Sequence, residues 1–303
     1  MKALDKLREA ADFLKRYGIE AASREAEIIL IHCLGIDRTA FFRDNPALQE
    51  NVVERIDGFL VRRLKGEPLQ YILGYVDFLG IKTKVGKGVL IPRPETELLA
   101  EEAVKTIRSQ KLNPPVPPFA KGGNGRVTIL DLCTGSGCLA LALAKEFPLA
   151  YIYGTDISEV AIRYAKENAE MNGISNVNFL QGSLFDPIAH LVTGYSLPVM
   201  FDLIISNPPY IRKNDIRNLQ AEIKDWEPIV ALDGGEDGLN YFRLIIAEAR
   251  NYLKQSGCLM LELGISQADA VRTIAEQADF TDITFKKDYS GIERIFIARN
   301  ILK

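Results

Sequence analysis

From Arg126 onward, short runs of β-formers alternate with amphipathic stretches, and this alternation narrows the possible folds more than any other feature of the chain. Strands fit VTILDL, YIYGTD, VNFLQG and FDLIIS, at 127–132, 151–156, 177–182 and 201–206. Helices fit 138–147 and 158–171. A helix near 238–254 precedes a strand GCLMLEL, and a helix over 266–278 follows it. Strands that alternate with helices predict an α/β fold with a doubly wound, mostly parallel sheet. The last two strands, DITFKK and RIFIAR, are joined by DYSGIE. That link is too short for a crossover, so the pair is antiparallel.

The first 65 residues read differently. Leu4, Leu7, Ala11 and Leu14 recur at helical spacing, and Gly18 follows as a stop. Ser23 is placed to cap a second helix that ends at Gly35, and a third runs from about Val52 to Leu64. Tyr71 to Ile91 is rich in β-formers broken by glycines and predicts a hairpin between two domains. A helix begins near Glu97 and runs through Ile107. Residues 109–125, with four prolines and three glycines, predict an irregular loop. The resulting divisions are a helical domain over 1–70, a hairpin linker over 71–93 and an α/β domain over 94–303.

Composition excludes several classes. A length of 303 residues suits about two domains. With 47% hydrophobic and 25% charged residues the chain is ordinary for a globular protein. A net charge of -3 argues against a long phosphate-tracking surface, so no stable nucleic-acid partner is expected. Cys33, Cys133, Cys138 and Cys258 have no metal-ligand spacing and read as free thiols of a reducing compartment. With His32 and His190 the only histidines, neither a metal site nor a histidine-dependent triad is expected. No apolar run reaches the roughly 20 residues that span a membrane, and the charged N-terminus is unlike a signal peptide. A cytoplasmic protein without a membrane partner is the expectation.

Two motifs carry chemistry. The first is Asp131-Leu-Cys133-Thr134-Gly135-Ser136-Gly137, after a strand and before a helix. Its glycines permit a tight turn and close ligand approach. Asp156 closes the next strand, where its carboxylate would accept hydrogen bonds from both hydroxyls of a ribose. This pattern predicts an adenosine-containing ligand and leaves a nicotinamide dinucleotide open.

The second motif is Asn207-Pro208-Pro209-Tyr210, directly after the strand FDLIIS. A residue before proline is held extended, and proline has no N–H. The loop therefore offers acceptors with few competing donors. The Asn207 side-chain oxygen and the Pro208 carbonyl would each accept one hydrogen of an –NH₂ group, and Tyr210 would cover its flat face. Together the motifs point to S-adenosylmethionine as methyl donor and a planar amide or amino nitrogen as acceptor.

On these residues the chain resembles the release factor glutamine methyltransferases. PLQYILG, VLIPRPETE, LDLCTGSGC, ISNPPYI, EPIVALDGGEDGL, LELG and SGIERIFIAR stand in that family's order along nearly the whole chain. The resemblance implies a Rossmann-like methyltransferase domain with a seven-stranded sheet. It implies transfer of methyl from S-adenosyl-L-methionine, leaving S-adenosyl-L-homocysteine, to the glutamine amide nitrogen in the Gly-Gly-Gln motif of class I peptide chain release factors. By position, Cys133 to Gly137 would line the methionine part of the donor, with Asp156 on its ribose and Ile157 and Leu184 beside its adenine. Asn207, Pro208, Pro209 and Tyr210 would hold the glutamine, and Arg93, Glu95 and Thr96 would shape the mouth. The helical domain would grip the release factor.

Three departures stand out. The family often has glycine where Cys133 stands, which matters little if Cys133 adopts negative φ. It often has an aromatic residue where Leu184 stands, so the adenine wall would be thinner. The loop over 109–125 is longer than the family pattern. The bland alternatives are an Arg93 paired with a carboxylate, an Asp233–Gly238 segment that only turns the chain, and a Trp226 that only packs. Rival activities are methylation of a ribosomal-protein glutamine, or of adenine N6 in DNA or RNA. NPPY is shared with the adenine enzymes, whereas the helical domain and IPRPETE are more particular.

Overall fold

The structure, a computed structural model, describes residues 1–112, 126–189, 191 and 199–300. Most of the proline-rich segment and His190 lie outside the described residues.

Backbone contacts divide the chain into two units: 1–75 with 220–226, and 76–219 with 227–303. The first holds α1 (Ala3–Arg16), α2 (Ala22–Leu34), α3 (Arg38–Asp44), α4 (Glu50–Leu64) and α5 (Leu69–Leu73). Its apolar core includes Leu14, Ile29, Leu30, Phe41, Ile56 and Leu60. Arg63 is buried there between Glu25 and Glu222, and Glu222, 159 residues further along, belongs to the segment that returns to this unit. A cation that leaves water needs such paired carboxylates. Nothing local in the sequence foretells this return.

Two expectations are corrected in this unit and one helix is added. Ser23 lies inside α2, whose N-cap is Ala21. Gly35 does end α2 in the left-handed conformation. Helix α3 was not foreseen, although Asp37 caps it by accepting from the Ala40 N–H at 2.8 Å. Tyr71 and Ile72 are β-formers but lie in α5, both buried. Burial has overridden intrinsic preference there.

The second unit opens with β1 (Tyr75–Phe78, whose first residue closes the first unit) and β2 (Ile81–Lys84), a hairpin. Leu79 and Gly80 form its turn with φ of 50° and 71°, the two positive angles that a right-twisted two-residue hairpin requires. Helix α6 (Pro94–Leu112) follows, so residues 109–112 are helical rather than loop. The α/β succession is β3 (Thr128–Leu132), α7 (Cys138–Glu146), β4 (Tyr151–Asp156), α8 (Glu159–Met171), β5 (Val177–Gln181), α9 (Asp186–Ala189) and β6 (Phe201–Ser206). After α10 (Ala221–Lys224) come α11 (Asn240–Tyr252), β7 (Leu253–Glu262), α12 (Ala268–Gln277), β8 (Asp282–Lys287) and β9 (Glu293–Arg299).

The seven-stranded sheet has the order β5-β4-β3-β6-β7-β9-β8. All neighbours are parallel except β7–β9 and β8–β9. Alternation along the strands builds two cores. Ile129, Leu203, Ile205 and Met260 face one side with α6 and α7, while Leu130, Ile204, Leu259 and Leu261 face the other with α11 and α12. A sheet covered on both faces reads as continuous apolar runs, which is why these strands were visible in sequence.

The register decides where the loops meet. Leu132 pairs with Thr155 on one side and Ser206 on the other. The next residue of each strand or loop, namely Cys133, Asp156 and Asn207, therefore stands at the same carboxyl edge. The strand order reverses between β3 and β6, and in open α/β sheets that crevice is where ligands bind.

Candidate active site

A cleft opens at this edge. Cys133, Thr134, Gly135, Ser136, Asp156, Ile157, Leu184, Asn207 and Pro209 line it. Gly137, Pro208, Tyr210, Arg93 and Glu95 are not among the lining residues. Several lining residues were not foreseen: Gly88, Val89, Leu90 and Pro92 from the segment before α6, and Val230, Ala231 and Tyr241 from beyond β6.

The glycine loop is shaped by close contacts. Gly137 ends it with φ 82°, and a Cβ there would meet the Phe179 ring at 2.9 Å and the Ala165 Cβ at 3.0 Å. Asp156 binds this loop with one oxygen and the start of α8 with the other. Oδ2 accepts from the Gly135 N–H and Oδ1 from the Ser158 N–H, each at 2.9 Å. Burial pushes the Asp156 carboxyl above its ordinary value, and the two backbone bonds oppose that. Asp131 is fully buried and pushed up to about 7 by burial. Its Oδ2 accepts from Thr134 Oγ1 and the Ala140 N–H, while Oδ1 has no hydrogen-bond partner among the described residues.

Cys133 adopts φ 56°. The departure from glycine therefore does matter, because a side chain sits in the left-handed region that glycine enters without cost. Burial raises its thiol far above the ordinary value, so it is not a reactive thiolate. Leu184 is also left-handed, at φ 43°, and its carbonyl accepts from Thr155 Oγ1. Tyr241 supplies an aromatic ring to the cleft that sequence reasoning missed.

The NPPY loop is held from behind. Ser206 Oγ donates to the Leu132 carbonyl at 2.6 Å and ties the strand ends together. Asn207 Nδ2 donates to Thr96 Oγ1, and the Tyr210 hydroxyl donates to Glu262 Oε1. Gln267 Nε2 donates to the Tyr210 and Gly238 carbonyls. The Asp233–Gly238 segment turns the chain and packs on this loop. A Cβ on Gly238 would come within 2.5 Å of the Tyr210 carbonyl oxygen. Arg93 pairs with Glu227, which is 4% exposed and also accepts from the Ile91 N–H. The carboxylate pairing of Arg93 is thus the arrangement found, and Glu227 anchors the segment that forms one wall of the cleft.

Comparison with known proteins decides the family. Residues 5–74 match the family described as PrmC N-terminal domain, and 124–292 match a methyltransferase domain. The release factor glutamine methyltransferase of Thermodesulfovibrio yellowstonii is 46% identical over 98% of both chains. The chain belongs to the release factor glutamine methyltransferase family. The Geobacter sulfurreducens member is 40% identical over 95% of both chains. Human methyltransferase 10 domain containing protein covers 74% of this chain and 90% of its own, with TM-score 0.51 at 14% identity, a likeness of fold alone. As a methyltransferase of this family the protein takes a methyl donor of the S-adenosylmethionine type. Among the described residues no helix is long and apolar enough to cross a membrane.

Proposed function

We propose that the protein methylates the side-chain amide nitrogen, N5, of the Gly-Gly-Gln glutamine in class I peptide chain release factors, with S-adenosyl-L-methionine as donor, in the cytoplasm. The observation that carries this reading is the position of Asn207: an amide held from behind by Thr96, at the cleft that also contains Asp156. The family named above supports the choice of acceptor.

The residues suit an adenosyl ligand. Each Asp156 oxygen takes one backbone N–H and keeps a lone pair, which two neighbouring ribose hydroxyls require. Ile157, Leu184 and Tyr241 offer an apolar wall for a base, and Cys133 to Ser136 a narrow turn for the aminoacyl end. When bound, the donor supplies an electrophilic methyl on a sulfonium, which carries its own leaving group.

The chain's own work is positioning. The Asn207 side-chain oxygen and the Pro208 carbonyl accept the two hydrogens of the glutamine amide and aim its nitrogen. Tyr210, fixed through Glu262, backs that pocket with Pro209. Amide nitrogens are poor nucleophiles, and holding one in line contributes up to ~7–11 kcal/mol in favourable cases. The helical unit, which contributes no residue to the cleft lining, is assigned to the release factor.

The test is transfer of labelled methyl from S-adenosylmethionine to a purified, unmethylated class I release factor, with DNA, RNA and ribosomal proteins as parallel acceptors. Label on the release factor, lost when its Gly-Gly-Gln glutamine is replaced, is the expected result. Label on a nucleic acid or a ribosomal protein alone would overturn the proposal.

A further inference from the structure

Asn207 is the outermost member of a buried relay. Its Nδ2 donates to Thr96 Oγ1 at 3.0 Å, and Thr96 Oγ1 donates to Glu262 Oε2 at 2.7 Å. The other oxygen of Glu262 accepts from the Tyr210 hydroxyl at 3.3 Å. Thr96 is 2% exposed and Glu262 1%. Thr96 comes from the first turn of α6 and Glu262 from the end of β7, so two elements remote in sequence converge behind the NPPY loop.

The two ends of an asparagine amide have nearly the same shape, and only hydrogen-bond partners decide which way it points. A carboxylate accepts and does not donate. A threonine hydroxyl has one hydrogen, and here Glu262 takes it. What Thr96 then offers Asn207 is a lone pair, which suits the –NH₂ end and repels the oxygen end. The oxygen end is left for whatever approaches from the cleft.

We propose that Thr96 and Glu262 are positioning residues that fix the direction of the Asn207 amide, so that its oxygen meets the acceptor and the site selects a nitrogen bearing hydrogens. This rests on the reading of Asn207 given under Proposed function. The relay is directional. Glutamine at 262 has one oxygen where glutamate has two, and with its –NH₂ end toward Thr96 it frees the threonine hydrogen for the Asn207 oxygen and turns the amide round. Valine at 96 keeps the shape of threonine and removes both hydrogen-bonding roles, whereas serine keeps both.

The experiment measures labelled methyl transfer to a class I release factor by wild type, Thr96→Val, Thr96→Ser and Glu262→Gln. S-adenosylhomocysteine affinity by calorimetry and thermal midpoint are measured alongside. Thr96→Val and Glu262→Gln should each lower kcat about tenfold or more, with cofactor Kd and release-factor KM within about threefold. Thr96→Ser should keep kcat within about threefold, a recovery that a mere packing role does not explain. Near-normal turnover in Thr96→Val, or equal loss in Thr96→Ser, would overturn the proposal. If Thr96→Val does not fold, loss in Glu262→Gln with retention in Thr96→Ser supports the relay, and any other pairing refutes it. Should wild type label nucleic-acid adenine instead, the substrate reading falls. The same variants are then scored on that acceptor, whose exocyclic –NH₂ makes the same demand on Asn207.

Discussion

The Gly135 N–H donates to Asp156 Oδ2 at 2.9 Å across 21 residues of chain. One carboxylate thereby fixes the glycine loop after β3 to the end of β4, while Ser158 holds its other oxygen. Each oxygen keeps a lone pair directed away from the backbone that anchors it. The same residue therefore shapes the cleft and presents acceptors within it.

Asp156→Ala is expected to weaken S-adenosylhomocysteine binding by about 100-fold or more, since two hydrogen bonds to a charged group are lost at ~1.5–3 kcal/mol each. Titration calorimetry measures it, with thermal denaturation to confirm that the glycine loop still folds. An unchanged Kd would remove Asp156 from the donor site.

Asn207→Ala should separate binding from turnover. The cofactor Kd should change by less than about threefold while kcat falls by about 100-fold or more, because the lost contact orients the acceptor rather than the donor. Single-turnover methyl transfer with a purified release factor reads this directly. Turnover within a few-fold of wild type would sink the amide clamp.

Cys133 stores backbone strain. A side chain in the left-handed region costs ~1–2 kcal/mol, partly offset by the unfolded-state entropy that glycine adds. Cys133→Gly should therefore leave the protein as stable as before or up to about 1 kcal/mol more stable, whereas β-branched Cys133→Val should destabilise it by about 1–3 kcal/mol. Urea denaturation measures both, and a Cys133→Gly variant clearly less stable than wild type would contradict the account.

Arg93→Met leaves Glu227, almost fully buried, with the hydrogen bond from the Ile91 N–H. Arg93 is about one third exposed, so the expected loss is the lower range for a broken ion pair, ~1–3 kcal/mol. Because the segment anchored by Glu227 lines the cleft, cofactor affinity should fall in parallel. A drop in affinity without any drop in stability would instead place Arg93 directly on a ligand.

The pH profile should carry the mark of Glu262. Burial and Glu95 push its carboxyl up to about 7, against hydrogen bonds from Thr96 and Tyr210 and the charge of Arg294. The ordinary value is 4.5, so the folded state binds the proton more tightly. The associated stability is full below the ordinary value and is lost as pH rises through about 7. Asp131, also pushed up to about 7, adds a loss of the same sign. Stability of Glu262→Gln, referred to wild type, should therefore improve as pH rises from 5 to 8, by roughly 1 kcal/mol or more. The ionised carboxylate accepts from both Thr96 and Tyr210, so wild-type kcat should decline as pH falls through about 7. That decline should be smaller in Glu262→Gln. Equal pH dependence in both proteins would show that Glu262 does not titrate in this range.

How much of this was visible beforehand varies by element. Strands β4 and β6 fall on YIYGTD and FDLIIS because strands buried on both faces are continuous apolar runs. The mostly parallel α/β sheet and its antiparallel last pair followed from alternation and the short final link, while the count of seven strands came from the family resemblance. Helices α3 and α5 did not, since seven- and five-residue helices carry too little periodicity.

The sequence alone determined which chemical groups stand at the ends of β3, β4 and β6, because strand patterning and turn residues are local. Tertiary structure alone decided how those groups are held. Thr96 meets Asn207 across 111 residues and Glu262 across 166, and Arg93 finds Glu227 across 134. Cys133 is left-handed in the loop whose Gly135 N–H meets Asp156. No local spacing encodes such contacts. They exist because a buried polar group must find a partner once water is excluded, and the packing of the sheet chooses which residue that is.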